Sequence, residues 1–287
     1  MRLATIVESG RQRVALVEHE RVLPIADEVG FDSIRAIAAT GADGLRRVGA
    51  WAARQPDPAY RELDEVEFAP AVPDPGAIYT VGLNYSEPGQ PGGRADVRPE
   101  RPLIYGKLPT SVSGHGALVT WDRTLTANVD GEVELGIVIG EPAANVAPSD
   151  TIGHVFGYTC VNDMSSRDPW LDGDQWLLGK SLAGFCPVGP WVVTRDELDP
   201  TGPKALRLGC TINGVPVQDG TTAGMRFPIA EVIAYISRHV ALRPGDIIAT
   251  GTPARLPTPP GPDRHLQPGD VVTAWIEGIG ELTNTIA

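Results

Sequence analysis

The sequence predicts an α+β fold, in which a β-sandwich roll follows a small N-terminal α/β domain. The chain of 287 residues contains 33 glycines and 27 prolines, the residue types that supply the backbone angles of turns. From Ile78 onward, short β-branched runs alternate with Gly, Pro and Asp turns, as in a β-rich domain. In that part, only Pro228–His239 has the spacing of a substantial helix, with its proline near the first turn.

The N-terminal part has the pattern of a small α/β unit. Residues 2–7 and 12–25 are predicted as short strands with charged flanks. A helix is predicted over Ser33–Ala53, because apolar side chains recur there at helical spacing. The residues near its apolar face are Ile34, Ile37, Leu45, Val48 and Trp51.

Two proline- and glycine-rich stretches interrupt the chain. At Phe68–Gly76 closely spaced prolines push the preceding residues toward extended backbone, and this predicted linker divides the chain into domains of residues 1–70 and 71–287. Residues 86–99 have almost no apolar side chain, so ordering them would cost backbone entropy with little burial in return. We expect a mobile lid there, with a flexible surface insertion as the alternative.

The charge balance argues against two classes of partner. The chain carries 36 acidic and 24 basic side chains and a formal charge of −12, which would repel nucleic acid and an anionic membrane surface. No secretory signal and no run of ~20 apolar residues is expected. The three cysteines, which form no C-x-x-C pair, indicate neither a disulfide framework nor a zinc knuckle: Cys160, Cys186 and Cys210. We expect a cytoplasmic protein with a small-molecule partner.

Two carboxylates are predicted to project side by side from one strand. In residues 129–139 the two-residue period of a strand places Glu132 and Glu134 on one face. Gly136 follows on that face, and we expect it to leave space for an ion and a ligand. The alternative is a strand whose polar face is merely exposed to solvent. The opposite, apolar face carries Val133, Leu135, Ile137 and Ile139.

A third carboxylate follows further along the chain. The apolar run after Gly157 ends in Asn162 and Asp163, which places Asp163 at a predicted strand end. Three carboxylate oxygens with water form a hard, octahedral site that suits Mg²⁺ or Mn²⁺, whereas Ca²⁺ is less demanding and Zn²⁺ is disfavoured. An ordinary turn or cap is the alternative for Asn162 and Asp163.

Short motifs spread from Ile78 to Ile286 carry a family resemblance. Each is weak alone, but their number, order and spacing are specific. The residues that carry it are 81–85, 107–111, Glu132-Val-Glu134, Gly157-Tyr158, Asn162-Asp163, 165–168, 175–181, 186–191, Asn213-Gly214, Gln218-Asp219, 245–253 and 277–284. On these residues the chain resembles the fumarylacetoacetate hydrolase family, in the branch of bacterial 2-hydroxyhepta-2,4-diene-1,7-dioate isomerases and acylpyruvases.

The resemblance implies a mixed β-sandwich catalytic domain, usually dimeric, and a divalent cation on Glu132, Glu134 and Asp163. It implies that Lys180 lies beside the metal and substrate, where its ammonium group would stabilise a developing enolate. The substrate-binding residues that it implies are Tyr85, Arg167 and Trp170, together with the turn of Thr250, Gly251 and Thr252, which would hold the acid group.

The sequence departs from the family at residues that handle protons and substrate. The family usually has a His and a Glu where this chain has Pro88 and Pro91, and proline cannot accept a proton. His115 is a candidate replacement base, with Glu87 or Glu100 as alternatives. Further departures are Pro169-Trp170 in place of a usual Gln, and Ala254-Arg255-Leu256-Pro257 in place of usual glycines.

Three functions follow as expectations. The family default is hydrolytic C–C cleavage of a β-diketo acid. The missing His and Glu favour instead a tautomerase or isomerase, a decarboxylase or a cyclase, which needs no activated water. A protein that binds a metal and an oxo acid without turnover is the third alternative, because fold resemblance does not establish chemistry.

Overall fold

The structure, a computed structural model, describes residues 1–56, 59–85, 99–168, 175–202, 205–256 and 265–287. No helix in these ranges is long and apolar enough to cross a membrane. The α-helices are α1 (Ile34–Ala39), α2 (Ala42–Ala52), α3 (Trp176–Gly179) and α4 (Ile229–His239), and short 3₁₀ helices span Asp27–Val29, Leu63–Glu65, Pro109–Ser111, Thr151–His154 and Thr222–Gly224.

Most of the regular structure is β-strand, in agreement with the predicted α+β class. The strands are β1 (Arg2–Glu8), β2 (Arg11–Glu18), β3 (Arg21–Pro24), β4 (Arg61–Glu62), β5 (Glu67–Phe68), β6 (Ile78–Gly82), β7 (Leu103–Lys107), β8 (Val112–Ser113), β9 (Leu118–Val119), β10 (Val129–Asp130), β11 (Val133–Ile139), β12 (Val155–Asn162), β13 (Ser165–Ser166), β14 (Cys186–Thr194), β15 (Arg207–Ile212), β16 (Val215–Thr221), β17 (Ile247–Ala249), β18 (Val271–Ile276) and β19 (Gly280–Ile286).

These strands form two mixed sheets and a short ribbon. The larger sheet has the order β4-β3-β2-β1-β14-β12-β11-β17-β6-β7, with β5 beside β1 and β8 beside β14. The smaller sheet has the order β16-β15-β18-β19-β9, and β10 pairs with β13. Most neighbours are antiparallel, whereas β17 with β6, β14 with β8 and β19 with β9 are parallel.

The main hydrophobic core lies between the two sheets. Leu135 of β11 and Cys160 of β12 are completely buried in one cluster with Leu208, Val272 and Leu282 of the smaller sheet. Side chains of α4 complete this cluster, and α4 begins directly after Pro228 as predicted. The predicted sandwich is therefore formed by alternate side chains of both sheets, and burial of apolar surface stabilises it.

Helices α1 and α2 pack against the larger sheet in a second hydrophobic cluster. Ile34 and Val48 are buried together with Val138 and Phe156 of the larger sheet. The single helix predicted over residues 33–53 is instead two helices, because Gly41 adopts a φ of 57° that glycine tolerates best. The strand predicted over 12–25 is likewise divided into β2 and β3 by a tight hairpin turn.

The N-terminal strands continue the larger sheet. Arg2 and Leu3 of β1 pair with β14, which belongs to the C-terminal part. In the predicted linker, Ala71 is completely buried, its N–H donates to Val188 O at 2.9 Å, and its carbonyl accepts from Thr5 Oγ1 at 2.9 Å. This segment therefore packs into the core, because its apolar residues cover the sheet. The division into residues 1–70 and 71–287 stays a prediction.

Candidate active site

Strand β11 positions two of the predicted carboxylates. Glu132 immediately precedes the strand, and Glu134 is only 3% exposed, so the solvent-exposed alternative does not hold for Glu134. The structural reason for a glycine at position 136 differs from the expected one, which was space for an ion and a ligand. A Cβ there would lie 2.7 Å from Val161 Cγ2 and 2.9 Å from Thr159 Cγ2, so glycine permits close packing of β12 and does not open space for a ligand.

The end of β12 brings Asp163 to the same place. Val133 pairs with Asn162 across the two strands. Asp163 N donates to Glu132 O at 2.8 Å, and Asn162 Oδ1 accepts from Glu132 N at 2.9 Å. Each of Glu132, Glu134 and Asp163 offers a carboxylate oxygen within 4.8 Å of the other two. The structure thus brings together all three of the predicted ligands.

Three cationic side chains contact this carboxylate cluster. The completely buried Lys107 places Nζ 2.6 Å from Asp163 Oδ1. Lys180 Nζ lies 2.5 Å from Asp163 Oδ2 and 3.4 Å from Glu132 Oε2. Arg167 donates to Glu132 Oε1. Paired charges of this kind offset the large free energy of burying an isolated carboxylate.

The surroundings drive the pKa values of the cluster apart. Burial, and then the charge of Asp163, raise the pKa of Glu134 well above its usual range. Burial disfavours the ionised form of Asp163, but Lys107 and Lys180 hold its pKa at about 2. Burial disfavours the charged form of Lys180, but neighbouring carboxylates, Asp163 foremost, raise its pKa above the usual range of a lysine. Lys180 is therefore an ammonium ion at neutral pH.

The donor set fits a hard divalent cation. All three candidate ligands offer oxygen, the donor that Mg²⁺, Mn²⁺ and Ca²⁺ prefer. The raised pKa of Glu134 reflects, in part, crowding with the Asp163 carboxylate, and a bound cation would relieve this repulsion.

The turn after β17 is fixed to the carboxylate strand. Gly251 N donates to Glu134 Oε2 at 2.8 Å. Gly251 has a φ of 97°, and a Cβ there would lie 2.7 Å from the Asn84 side chain, so this position requires glycine. The Thr250 hydroxyl donates to a carbonyl of β11 at 2.9 Å, whereas Thr252 lines the cavity described next.

A cavity of about 300 Å³ opens beside the carboxylates. Lys180 and Arg167 are among its polar lining residues. Its aromatic lining residues are Tyr85, Tyr105 and Trp176, and the rings of Tyr105 and Trp176 have centroids 3.9 Å apart. A cavity lined by apolar side chains and a few polar groups is typical of a small-molecule site.

His115 is not brought to this cavity. Its Nδ1 accepts a hydrogen bond from Thr283 N at 3.2 Å, and its ring lies 5.5 Å from that of Phe68. Gly116 N also donates to Thr283 O at 2.8 Å. This anchoring to β19 corrects the expected location of His115, and no described residue that lines the cavity is a histidine.

Other predicted residues have different outcomes. Glu100 is exposed and is not among the described residues that line the cavity. The predicted contacts of Tyr85, Arg167, Thr250, Gly251 and Thr252 with substrate stay predictions. The predicted lid lies almost entirely outside the described residues, together with Glu87, Pro88, Pro91, Pro169 and Trp170.

Sequence reasoning assigned no role to several residues of the site. The Gln218 amide accepts from Val133 N at 3.0 Å and donates to Thr252 Oγ1 and Pro253 O, both at 2.7 Å. It therefore joins the carboxylate strand to the turn. Lys107 could have been identified from the sequence as a charged residue at the end of an otherwise uncharged strand. Further cavity-lining residues of this kind are Asp130, Arg226 and Arg255.

Comparison with known proteins identifies the family. The sequence profile described as fumarylacetoacetate (FAA) hydrolase C-terminal matches residues 77–287. The chain belongs to the fumarylacetoacetate hydrolase family. The predicted assignment to this family is thereby confirmed, and its structurally similar members are enzymes that include hydrolases and isomerases.

Three solved structures illustrate the family's range. A fumarylacetoacetate hydrolase from Exiguobacterium antarcticum has a TM-score of 0.84 at 30% identity, over 100% of this chain and 99% of that one. A maleylpyruvate hydrolase from Sphingobium sp. SYK-6, in complex with manganese(II) and pyruvate, has a TM-score of 0.79 at 28% identity, over 100% of this chain and 99% of that one. A 2-hydroxyhepta-2,4-diene-1,7-dioate isomerase from Mycobacterium marinum has a TM-score of 0.74 at 28% identity, over 100% of this chain and 98% of that one.

The raised pKa of Glu134 predicts how stability depends on pH. Without metal, the folded protein retains a proton that the unfolded chain releases, so the free energy of unfolding should fall as pH rises above the usual glutamate range. Asp163 has the opposite effect: because its pKa is lowered, the free energy of unfolding should fall as pH falls, from its usual pKa of 3.8 down to about 2. Since Mg²⁺ needs ionised ligands, its stabilising effect should grow with pH. Thermal unfolding between about pH 5 and 8, with and without Mg²⁺, measures both trends; a Mg²⁺ effect independent of pH would contradict them.

Proposed function

We propose that this enzyme acts on a β-diketo or 2-oxo acid through an enolate, with Mg²⁺ held by Glu132, Glu134 and Asp163. One observation carries the proposal: the Lys180 ammonium lies 2.5 Å from Asp163 Oδ2, in a cavity that all three carboxylates line. This arrangement combines a cation site with a fixed positive charge where an oxyanion would develop.

The residues of the cavity divide the chemical work. A divalent cation on the three carboxylates would polarise the carboxylate and keto oxygens of the substrate. Lys180 stabilises the negative charge of the enolate, and its raised pKa makes it a poor proton acceptor. Thr252, which is fixed by Gln218, contacts the acid group. The rings of Tyr105 and Trp176 cover the remainder of the substrate and exclude water.

Hydrolytic C–C cleavage is the first candidate reaction. Water adds to the distal carbonyl carbon, the bond between this carbon and C3 of the 2-oxo acid breaks, and its electrons form the enolate, which is then protonated at C3. The similarity to a fumarylacetoacetate hydrolase and a maleylpyruvate hydrolase supports this reaction.

Isomerisation or another enolate reaction without added water is the second candidate. Pro88 and Pro91 replace the family's usual base residues, and the contacts of His115 hold it away from the cavity. The similarity to 2-hydroxyhepta-2,4-diene-1,7-dioate isomerases supports this alternative. Decarboxylation and ring closure belong to the same class of reaction.

A deuterium exchange assay separates these candidates. The protein is incubated with Mg²⁺ and an acylpyruvate, oxaloacetate or a 2-hydroxydienoate in D₂O, and exchange at C3 and cleavage products are measured. Hydrolytic cleavage as fast as exchange supports the hydrolase, whereas exchange, decarboxylation or ring closure without hydrolytic cleavage supports the second candidate. A missing base would slow cleavage by about 10²–10⁴-fold. Absence of both reactions across the substrates would contradict both and favour a binding protein without turnover. A homodimeric assembly and a cytoplasmic location stay predictions.

A further inference from the structure

We infer that Arg226 and Arg255 are specificity-determining residues, which bind a second acid group at the far end of the substrate from its 2-oxo acid group. The inference rests on the proposed function, because that function assigns the 2-oxo acid group to the metal and Lys180. It follows from where the two arginines are attached and from the charges that line the cavity.

Arg255 is a cavity-lining cation that belongs to this chain rather than to the family pattern. It lies in residues 254–257, where the family usually has glycines. Its Nη1 donates to Asp130 Oδ1 at 2.9 Å, and its side chain is 24% exposed. An isolated β-bridge pairs Arg255 with Gln218 of β16. The guanidinium is therefore presented to the cavity from a backbone that the smaller sheet supports.

Arg226 lines the same cavity from a different segment. Its N donates to Asn84 O at 2.6 Å. The buried Asn84 side chain accepts from Phe227 N at 2.9 Å and donates to Thr250 O at 2.7 Å. The backbone that carries Arg226 is thus fixed to the turn that shortly precedes Arg255, and both arginines are attached to one rigid part of the cavity wall.

The charges around the cavity favour a dianionic ligand. Among the described residues that line it, four side chains are acidic and four are basic. The acidic ones are Asp130 and the three candidate metal ligands, and the basic ones are Lys180, Arg167, Arg226 and Arg255. When all are ionised, as metal binding requires of the ligands, their formal charges cancel, and a bound Mg²⁺ leaves two positive charges. A substrate with one carboxylate neutralises one of these charges, whereas a second acid group neutralises both.

A carboxylate is the group that suits these two side chains. A guanidinium presents five N–H donors in one plane, so the contact of Arg255 with Asp130 is compatible with a further acceptor. Arginine binds carboxylates through pairs of parallel, charge-assisted hydrogen bonds. A substrate that ends in a hydrocarbon group would instead remove water from the guanidinium groups of Arg226 and Arg255 without replacing its hydrogen bonds.

The test compares charged and neutral ligands of equal length. Calorimetry with the Mg²⁺-loaded full chain measures binding of 2-oxoglutarate, 2-oxoadipate and 2-oxopimelate, each against its methyl ester at the acid group far from the keto group. At one of these lengths the diacid should bind about 10–100-fold more tightly than its ester, the size typical of a hydrogen bond to a charged group. Arg226→Met and Arg255→Met should each lower this preference by about tenfold.

The preference for diacid over ester separates recognition from support of the site. If Arg255→Met acts only by loosening Asp130, both ligands weaken alike and the preference stays unchanged, which would contradict the role of Arg255. Arg226→Met tests the inference independently if Arg255→Met does not fold. Arg207→Met is the matched control, because this arginine is 64% exposed, pairs with Asp219 and does not line the cavity; its preference should equal that of the unsubstituted protein.

Two outcomes distinguish the inference from the proposed function. Equal binding of diacid and ester at all three lengths, or a preference that both arginine substitutions leave intact, would overturn the inference alone. If neither the diacids nor the esters bind to the Mg²⁺-loaded protein, the proposed action on a 2-oxo acid fails as well.

Discussion

Replacement of Glu134 by glutamine is expected to weaken Mg²⁺ binding by more than about 10²-fold, beyond the effect typical of residues that only support a ligand. Glutamine keeps the shape of the side chain and can still accept the Gly251 N–H bond, which is 2.8 Å long in the structure. It removes a carboxyl group, whose pKa is raised by burial and by Asp163, and so the side chain can no longer ionise to bind a cation. Calorimetric titration with Mg²⁺ measures the loss, and turnover should fall with it.

The same variant has a distinguishing effect on stability. Because ionisation of Glu134 is unfavourable in the folded protein, metal-free Glu134→Gln should be more stable than the unsubstituted protein at neutral pH, and its melting temperature should rise less with Mg²⁺. Glu20→Gln, an exposed substitution in the turn between β2 and β3, is the control and should change neither quantity. An unchanged Mg²⁺ affinity in Glu134→Gln would remove Glu134 from the ligand set.

Replacement of Lys180 by methionine is expected to lower kcat by about 10²–10³-fold, the size observed when one donor to a developing oxyanion is lost. Methionine keeps much of the side-chain length but removes the ammonium group that lies 2.5 Å from Asp163 and 2.7 Å from Ser165 Oγ. Since this positive charge also opposes a nearby cation, Mg²⁺ should bind as tightly as before or more tightly. Loss of turnover with retained metal is the expected combination.

Steady-state kinetics and Mg²⁺ titration of the same preparation test this combination. Arg46→Met removes an exposed positive charge from α2 and should alter neither kcat nor Mg²⁺ affinity. If Lys180→Met loses turnover only because it no longer binds Mg²⁺, Lys180 supports the metal site and does not stabilise the enolate. If kcat is unchanged, another group of the cavity carries that role.

Local periodicity was sufficient for much of the fold. The alternation from Val133 to Ile139 placed Leu135 in the core and Glu134 on the other face, as the structure has it. Local pattern did not predict burial or location where these depend on contacts with residues distant in the sequence. Ala71 lies in a segment predicted as a linker from its prolines, yet it is completely buried and hydrogen-bonded to Thr5 and Val188. Likewise, His115 was assigned by its neighbourhood in sequence, whereas its pairing with Thr283 determines its location.

The sequence by itself predicted that Glu132 and Glu134 share one face of a strand and that Asp163 lies at a strand end, because strand period and strand end depend on local residues only. The family resemblance then singled out these three carboxylates as one group. Only the tertiary structure decided which donors contact each carboxylate. Lys107 reaches Asp163 across 56 positions of the chain, and Gly251 reaches Glu134 across 117. Such contacts depend on how strands β7, β11 and β17 are arranged in the larger sheet, and sheet order is fixed by the packing of the whole core rather than by the residues that surround a motif.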